Sequence, residues 1–210
     1  MTFTIALFGA SGRTGRHVLE QALAAGHTVR ALTRRADALE PHDHLTVIVG
    51  DVLDAAAVRE TVRGADAVVS VFGQVKGSSH TLQTDGTRTI VDAMREEGVS
   101  RIVSLSGGGL PAPQDRPKTA DRVIRFLLKR ISPQVLDDAV NHLEVLRGSG
   151  MDWTVVRGPR LTDSPATGSY RVGWVGVDAS TQIGRADLAS FIVTQLDDRR
   201  FIHELPFVSR

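Results

Sequence analysis

Residues 4–16 constrain this chain more than any other stretch. Thr4-Ile5-Ala6-Leu7-Phe8 is a short apolar run of strand type, and Gly9-Ala10-Ser11-Gly12-Arg13-Thr14-Gly15 breaks it. Helical spacing then takes over through Val18, Leu19, Ala22 and Leu23. A strand, a tight turn and a helix form the context in which a glycine fingerprint carries meaning. Gly9 permits the sharp turn, Gly12 leaves room for a pyrophosphate against the backbone, and Gly15 lets the helix pack close. The first N–H groups of that helix, with the positive end of its dipole, then suit an anion. The spacing is G-x-x-G-x-x-G rather than G-x-G-x-x-G. Gly9, Ser11, Gly12, Arg13, Thr14 and Gly15 are therefore the first candidate cofactor residues.

The rest of the chain repeats the alternation. Strands are expected at 28–33, 45–49, 66–71, 101–105 and 153–157, with an edge strand at 201–208. Helices are expected after Asp54, over 81–97, 121–131 and 133–147, and over 185–196. Strand–helix alternation predicts an α/β fold, a doubly wound parallel sheet of Rossmann type, in one domain over 1–210. Ligands of such sheets lie outside the carboxyl ends of the strands, and candidate residues collect there. Arg34 and Arg35 follow the second strand, where an acid would select the free 2′-hydroxyl of NAD and an arginine accommodates the 2′-phosphate of NADP. NADP(H) is the expected cofactor, with Arg34 the main contact and Arg35 a second. Asp51 and Val52, after the third strand, are placed at the adenine; a turn or N-cap aspartate is the alternative. Phe72 and Gly73 follow the fourth strand, and Ser106 the fifth. Ser106 is read as a donor to the carboxamide or acceptor, or as a buried structural serine.

Other chemistries are excluded by what is missing. Tyr170 is the only tyrosine and Trp174 stands where its lysine would be, so no Tyr-x-x-x-Lys dyad exists. Gly9-Ala10-Ser11-Gly12 lacks the last glycine of a nucleophile elbow, and Gly15-Arg16-His17 does not complete a P-loop. His42-Asp43-His44 has no third ligand cluster, so no metal is expected. Without cysteine there are no disulfides or thiol nucleophiles. Lys and Arg total 25 against 24 Asp and Glu, which leaves no basic footprint for nucleic acid. No apolar run is long enough to span a bilayer, and the chain is expected to be cytoplasmic without a membrane partner. Residues 121–131 set Val123, Phe126, Leu127 and Ile131 against Arg122, Arg125, Lys129 and Arg130. That pattern is expected to be a core-packed helix with a solvated basic side; a lid, a subunit contact and membrane-surface binding are alternatives.

The glycine turn, Arg34, Gly50-Asp51-Val52, Phe72-Gly73, Val145-Leu146-Arg147-Gly148-Ser149-Gly150-Met151-Asp152-Trp153-Thr154 and Thr162-Asp163-Ser164-Pro165-Ala166-Thr167-Gly168-Ser169-Tyr170 resemble the atypical short-chain dehydrogenases of the NAD(P)H-binding, biliverdin-IXβ-reductase/flavin-reductase type. The resemblance covers nearly the whole chain. It implies an NADPH-dependent reductase whose nicotinamide donates hydride to a stacked flavin, tetrapyrrole or quinone, in a monomer or homodimer. Substrate-side elements then fall at about 107–135 and 158–182, and Pro159 joins the cofactor residues. The chain differs from that family in carrying Ser106 one residue early and Arg160 in place of a histidine. Arg160 is read either as the group that stabilises charge on the reduced acceptor or as half of a structural ion pair with Asp163. A non-catalytic NADP(H) sensor and a sugar-epimerase-like isomerase are the rival functions.

Overall fold

The computed structural model describes residues 1–75 and 77–210, apart from the side chains of residues 120, 124, 128, 129 and 131. The expectations for the Lys129 and Ile131 side chains thus lie outside the described residues. The chain runs β1 (Thr4–Phe8), α1 (Arg13–Ala24), β2 (Thr28–Thr33), β3 (Leu45–Val49), α2 (Ala55–Val62), β4 (Ala67–Ser70), α3 (Leu82–Glu97) and β5 (Arg101–Gly107). It continues through α4 (Thr119–Ile131), α5 (Pro133–Arg147), β6 (Asp152–Gly158), β7 (Arg160–Thr162), β8 (Arg171–Gly173), β9 (Gln182–Gly184), α6 (Arg185–Thr194) and β10 (Phe207–Ser209). The main sheet has the order β3-β2-β1-β4-β5-β6-β10-β8, and β7 pairs with β9 in a small parallel ladder. The expected α/β, doubly wound Rossmann-type architecture is present.

Local chemistry explains the element ends. Asp54 caps α2 by accepting from the N–H groups of Ala56 and Ala57. Gly98 closes α3 with φ of +72°, a conformation a Cβ would strain. The apolar strands are covered on both faces. Val18, Leu19, Phe191 and Ile192 of α1 and α6 pack on one face, and Val58, Ile90, Met94 and Leu143 of α2, α3 and α5 on the other.

Two expectations are corrected here. The last strand is not an edge, because β10 lies between β6 in parallel and β8 in antiparallel pairing. The sheet is consequently mixed at that end. In α4, Val123, Phe126 and Leu127 are exposed rather than core-packed. No helix of the described residues is long and apolar enough to cross a membrane.

Two buried polar groups shape the layers. Arg157 of β6 is wholly buried and donates to both carboxylate oxygens of Asp115, at 2.8 and 2.9 Å, and to the carbonyls of Leu110 and Leu205. It thereby ties the proline-punctuated loop after β5 to the sheet. His142 of α5 is equally buried; its Nε2 lies 2.9 Å from Ser104 Oγ, and its Nδ1 has no partner among the described residues. Burial pushes the imidazole down to about 4 against a partial counter-effect of Asp138, so the ring is neutral in the folded protein. Above pH 6.5 both folded and unfolded forms are unprotonated and nothing is lost. Between pH 6.5 and 4 the unfolded chain takes up a proton that the folded one resists, so stability falls. The loss over that interval is about 3 kcal/mol. Burial and the N-terminal charge lower His27 too, which acts in the same direction. Urea midpoints measured from pH 7 to 4.5 should decline in the native chain and flatten in His142→Gln; an equal decline in both would remove His142 as the cause.

Candidate functional site

At the carboxyl edge of β1, β2, β3 and β4 the sheet opens into a cleft of about 420 Å³. Gly9, Ser11 and Gly12 form one wall, Thr33 and Arg34 follow from β2, and Asp51 and Val52 from β3. Phe72 and Gly73 follow from β4, and Val75, Gly77, Ser78 and Ser79 close the far side. Eight of the expected cofactor residues thus meet around one space: Gly9, Ser11, Gly12, Arg34, Asp51, Val52, Phe72 and Gly73.

The turn is built by backbone closeness. Gly9 has φ of +90°, and a Cβ there would stand 2.7 Å from the Phe72 nitrogen. Gly12 N–H donates to the Gly9 carbonyl at 3.0 Å. Gly15 allows α1 to lie on the turn, since a Cβ on it would come within 2.0 Å of that carbonyl oxygen. Helix α1 starts at Gly12 without a side-chain cap and without an acid in its first turn. Its leading N–H groups therefore keep their capacity to donate to an anion, and no carboxylate of its own first turn opposes the helix dipole.

Arg34 and Arg35 separate cleanly. Arg34 lines the cleft and has no salt bridge among the described residues. Arg35 is outside it, exposed, and lies 3.6 Å from Asp37. Asp51 accepts from the Leu53 N–H at 3.0 Å, the turn role foreseen as its alternative, while still lining the cleft. The sequence reading missed how the wall beyond Gly73 is held. Asp138 of α5 is buried and accepts from Gln74 Nε2, the Gln83 and Thr84 N–H groups, and Thr84 Oγ1 at 2.6 Å. One carboxylate so caps α3 and anchors the loop that closes the cleft. Burial opposes its charge, but the hydrogen bonds from Thr84, Gln74 and the two N–H groups outweigh that and hold its carboxyl below the usual range. Gly86 was also missed. A Cβ there would meet Phe72 at 2.8 Å and Val52 at 3.0 Å, so its absence lets both seat against α3. The visible signal was a glycine inside a helical pattern.

Other expected residues lie elsewhere. Thr14 and Gly15 are buried in the first turn of α1. Ser106 is buried, and its Oγ has no partner among the described residues. Pro159 joins β6 to β7, and neither it nor Ser106 lines the cleft. The Arg160–Asp163 pair, the alternative to a catalytic Arg160, does not form: Arg160 donates to Gln182 Oε1 across the β7–β9 ladder at 3.1 Å. Asp163 instead bridges Arg13 at the start of α1 and Arg185 at the start of α6. Those two guanidiniums, Arg13 foremost, hold its carboxyl below the usual range. Two arginines outcompete one here because both helix starts converge on this loop. No cluster of metal-ligating side chains occurs among the described residues.

Comparison with known proteins agrees with this architecture. A family model described as NAD(P)H-binding matches residues 9–199. The uncharacterized protein YwnB of Bacillus subtilis is 26% identical over 200 residues, covering 92% of each chain. A short-chain dehydrogenase/reductase from Veillonella parvula, solved in complex with NADP, superposes with a TM-score of 0.82 at 17% identity over 99% of this chain and 95% of that one. ChuY of Escherichia coli O157:H7, an anaerobilin reductase, superposes with a TM-score of 0.78 at 22% identity over 100% of this chain and 97% of that one.

Proposed function

Because the chain belongs to the NAD(P)H-binding family, whose model spans residues 9–199, we propose that it is an NADPH-dependent oxidoreductase acting on a planar acceptor, flavin being the class that fits best. The cleft suits the dinucleotide on its own features. An uncapped helix start, and a turn at Gly9 that lies directly on the backbone of Val71 and Phe72 where a Cβ could not fit, suit a pyrophosphate. The single observation that carries NADP over NAD is Arg34, a guanidinium on the cleft at the end of β2 that forms no salt bridge among the described residues. Asp51 and Val52 hold the adenine side, and Phe72 and Gly73 the passage toward the nicotinamide. Arg13, Thr14 and Gly15 belong to the same turn, and Arg35 supplements the charge near Arg34.

Bound there, the reduced nicotinamide supplies a hydride to the acceptor. What the chain adds is orientation rather than strong acid chemistry. Among the described residues lining the cleft, Arg34 and Asp51 are the only titratable side chains, and both sit at the adenosine end in this reading. A flavin fits such a site, since stacking and alignment matter most and solvent can deliver the proton. Residues 107–135 and 158–182 form the acceptor side, where exposed Arg160 steadies negative charge and Ser106 donates a hydrogen bond. The same scarcity of acids supports a second reading, an NADP(H)-binding sensor without turnover. Tyr170 packs edge-on against Phe191, centroids 5.9 Å apart, which disfavours an isomerase that depends on that phenol.

Arg34→Glu tests the assignment. It should weaken NADPH by tens-fold or more, about 2–4 kcal/mol, and NADH far less. Equal losses in a titration of both cofactors would displace the 2′-phosphate from Arg34. Oxidation of NADPH with FMN, FAD, a quinone or a linear tetrapyrrole separates the enzyme from the sensor; tight binding without turnover across the panel favours the sensor.

A further inference from the structure

Helix α4 presents apolar side chains to solvent. Val123 and Leu127 lie one turn apart with Phe126 beside them, and their exposures are 53%, 48% and 59%. Among the described residues α4 packs against α5. An apolar helix side left in water marks a surface with a partner.

The charge around it says which partner. Arg122, Arg125 and Arg130 are exposed along the same helix, and the Arg130 guanidinium lies 5.5 Å from the Phe126 ring centroid. Residues 116–131 contain six Lys or Arg and one acid, Asp121, in a chain whose net charge is +1. The remainder of the protein is therefore net negative, and the excess of positive charge falls on α4 and the three residues before it. A second copy of the chain is a poor occupant, because a two-fold contact through α4 would oppose like charges.

We propose that α4 docks the protein on an anionic phospholipid surface. Val123, Phe126 and Leu127 enter the boundary between headgroups and acyl chains, while the arginines lie among the lipid phosphates. This departs from the sequence expectation of a core-packed helix and no membrane partner; α4 falls within the segment read as the acceptor side, but none of its described residues lines the cleft. The cleft residues take no part in it.

The test uses the full chain and lipid vesicles. It should sediment with vesicles containing phosphatidylglycerol at low salt, and much less with pure phosphatidylcholine or at high salt. Arg122→Glu/Arg125→Glu and Phe126→Asp should each lower the partition coefficient by about ten-fold or more, with NADPH affinity unchanged. Phe126→Trp should gain a blue-shifted emission with the anionic vesicles beyond that of the native chain, a readout that needs no loss of binding. No partition at low salt, or equal partition into both lipids, overturns the proposal. So does a dimer in sedimentation velocity that Phe126→Asp dissolves, which assigns the face to a second copy. A fall in NADPH affinity in Phe126→Asp overturns it as well, since the face then belongs to the cofactor domain.

Discussion

Arg157→Met should lower the unfolding free energy by about 3–5 kcal/mol, the largest single-residue effect expected in this protein. The guanidinium is completely buried, makes four hydrogen bonds to Asp115, Leu110 and Leu205, and lies 5.4 Å from the Phe207 ring. Methionine fills much of the volume but leaves the Asp115 carboxylate without its counter-charge. Burial already opposes that carboxylate, and Arg157 with the Ala112 and Val175 N–H groups is what holds it below its usual range. In the single variant, part of the balance is gone and two carbonyls lose their donor. Asp115→Asn should cost less, and the double variant Arg157→Met/Asp115→Asn less than the two single losses combined, because the second change removes the stranded charge. Urea unfolding of the three variants measures this. Additive losses, or a single-variant loss below about 1 kcal/mol, would show that the pair is not a coupled unit.

Gly12→Val and Gly15→Ala should fail in opposite ways. At Gly12 the backbone is extended with φ of −73°, which any residue adopts, and an added Cβ meets only the Gly9 carbonyl at 3.2 Å. The fold therefore accepts the change with a modest adjustment. The branched side chain nevertheless stands at the cleft wall where a pyrophosphate would lie, so NADPH binding should fall by at least about 100-fold, roughly 3 kcal/mol. At Gly15 a Cβ would penetrate to 2.0 Å from the same carbonyl oxygen, and both partners are backbone. Helix and turn must part, and stability should drop by about 1–3 kcal/mol or more. Melting temperature and NADPH titration on both variants distinguish a ligand glycine from a packing glycine. A Gly12→Val protein that binds NADPH normally would take the turn out of the site.

The sequence made the strand–turn–helix unit, the alternation and the cleft residues legible because these depend on local periodicity and on glycine chemistry. Arg34 and Asp51 could be placed for the same reason: strand ends in a parallel sheet share one edge. The outer end of the sheet was not legible. β7, β8, β9 and β10 have three residues each, too few to show a period, and their order depends on pairings across the chain. Asp163 was offered as one of two alternatives for its neighbour Arg160, whereas its partners come from α1 and α6. Asp138 reads as an ordinary helix acid until the fold brings the start of α3 onto it. The α4 pattern is the same whether its apolar side faces a core or a partner, so only exposure separates the two.

The place of β10 has a consequence for how the protein is made. β8 joins the sheet only through β10, and β10 spans residues 207–209. During synthesis the inner strands can assemble as they emerge, but β8 must wait for a strand encoded after β9 and α6 have been built. The segment around β7, β8 and β9 is thus the last to be locked, and the glycine turn among the first. A chain stalled before residue 207 would hold a nearly complete cleft beside an unfinished sheet edge at β6, open to pairing with another nascent chain.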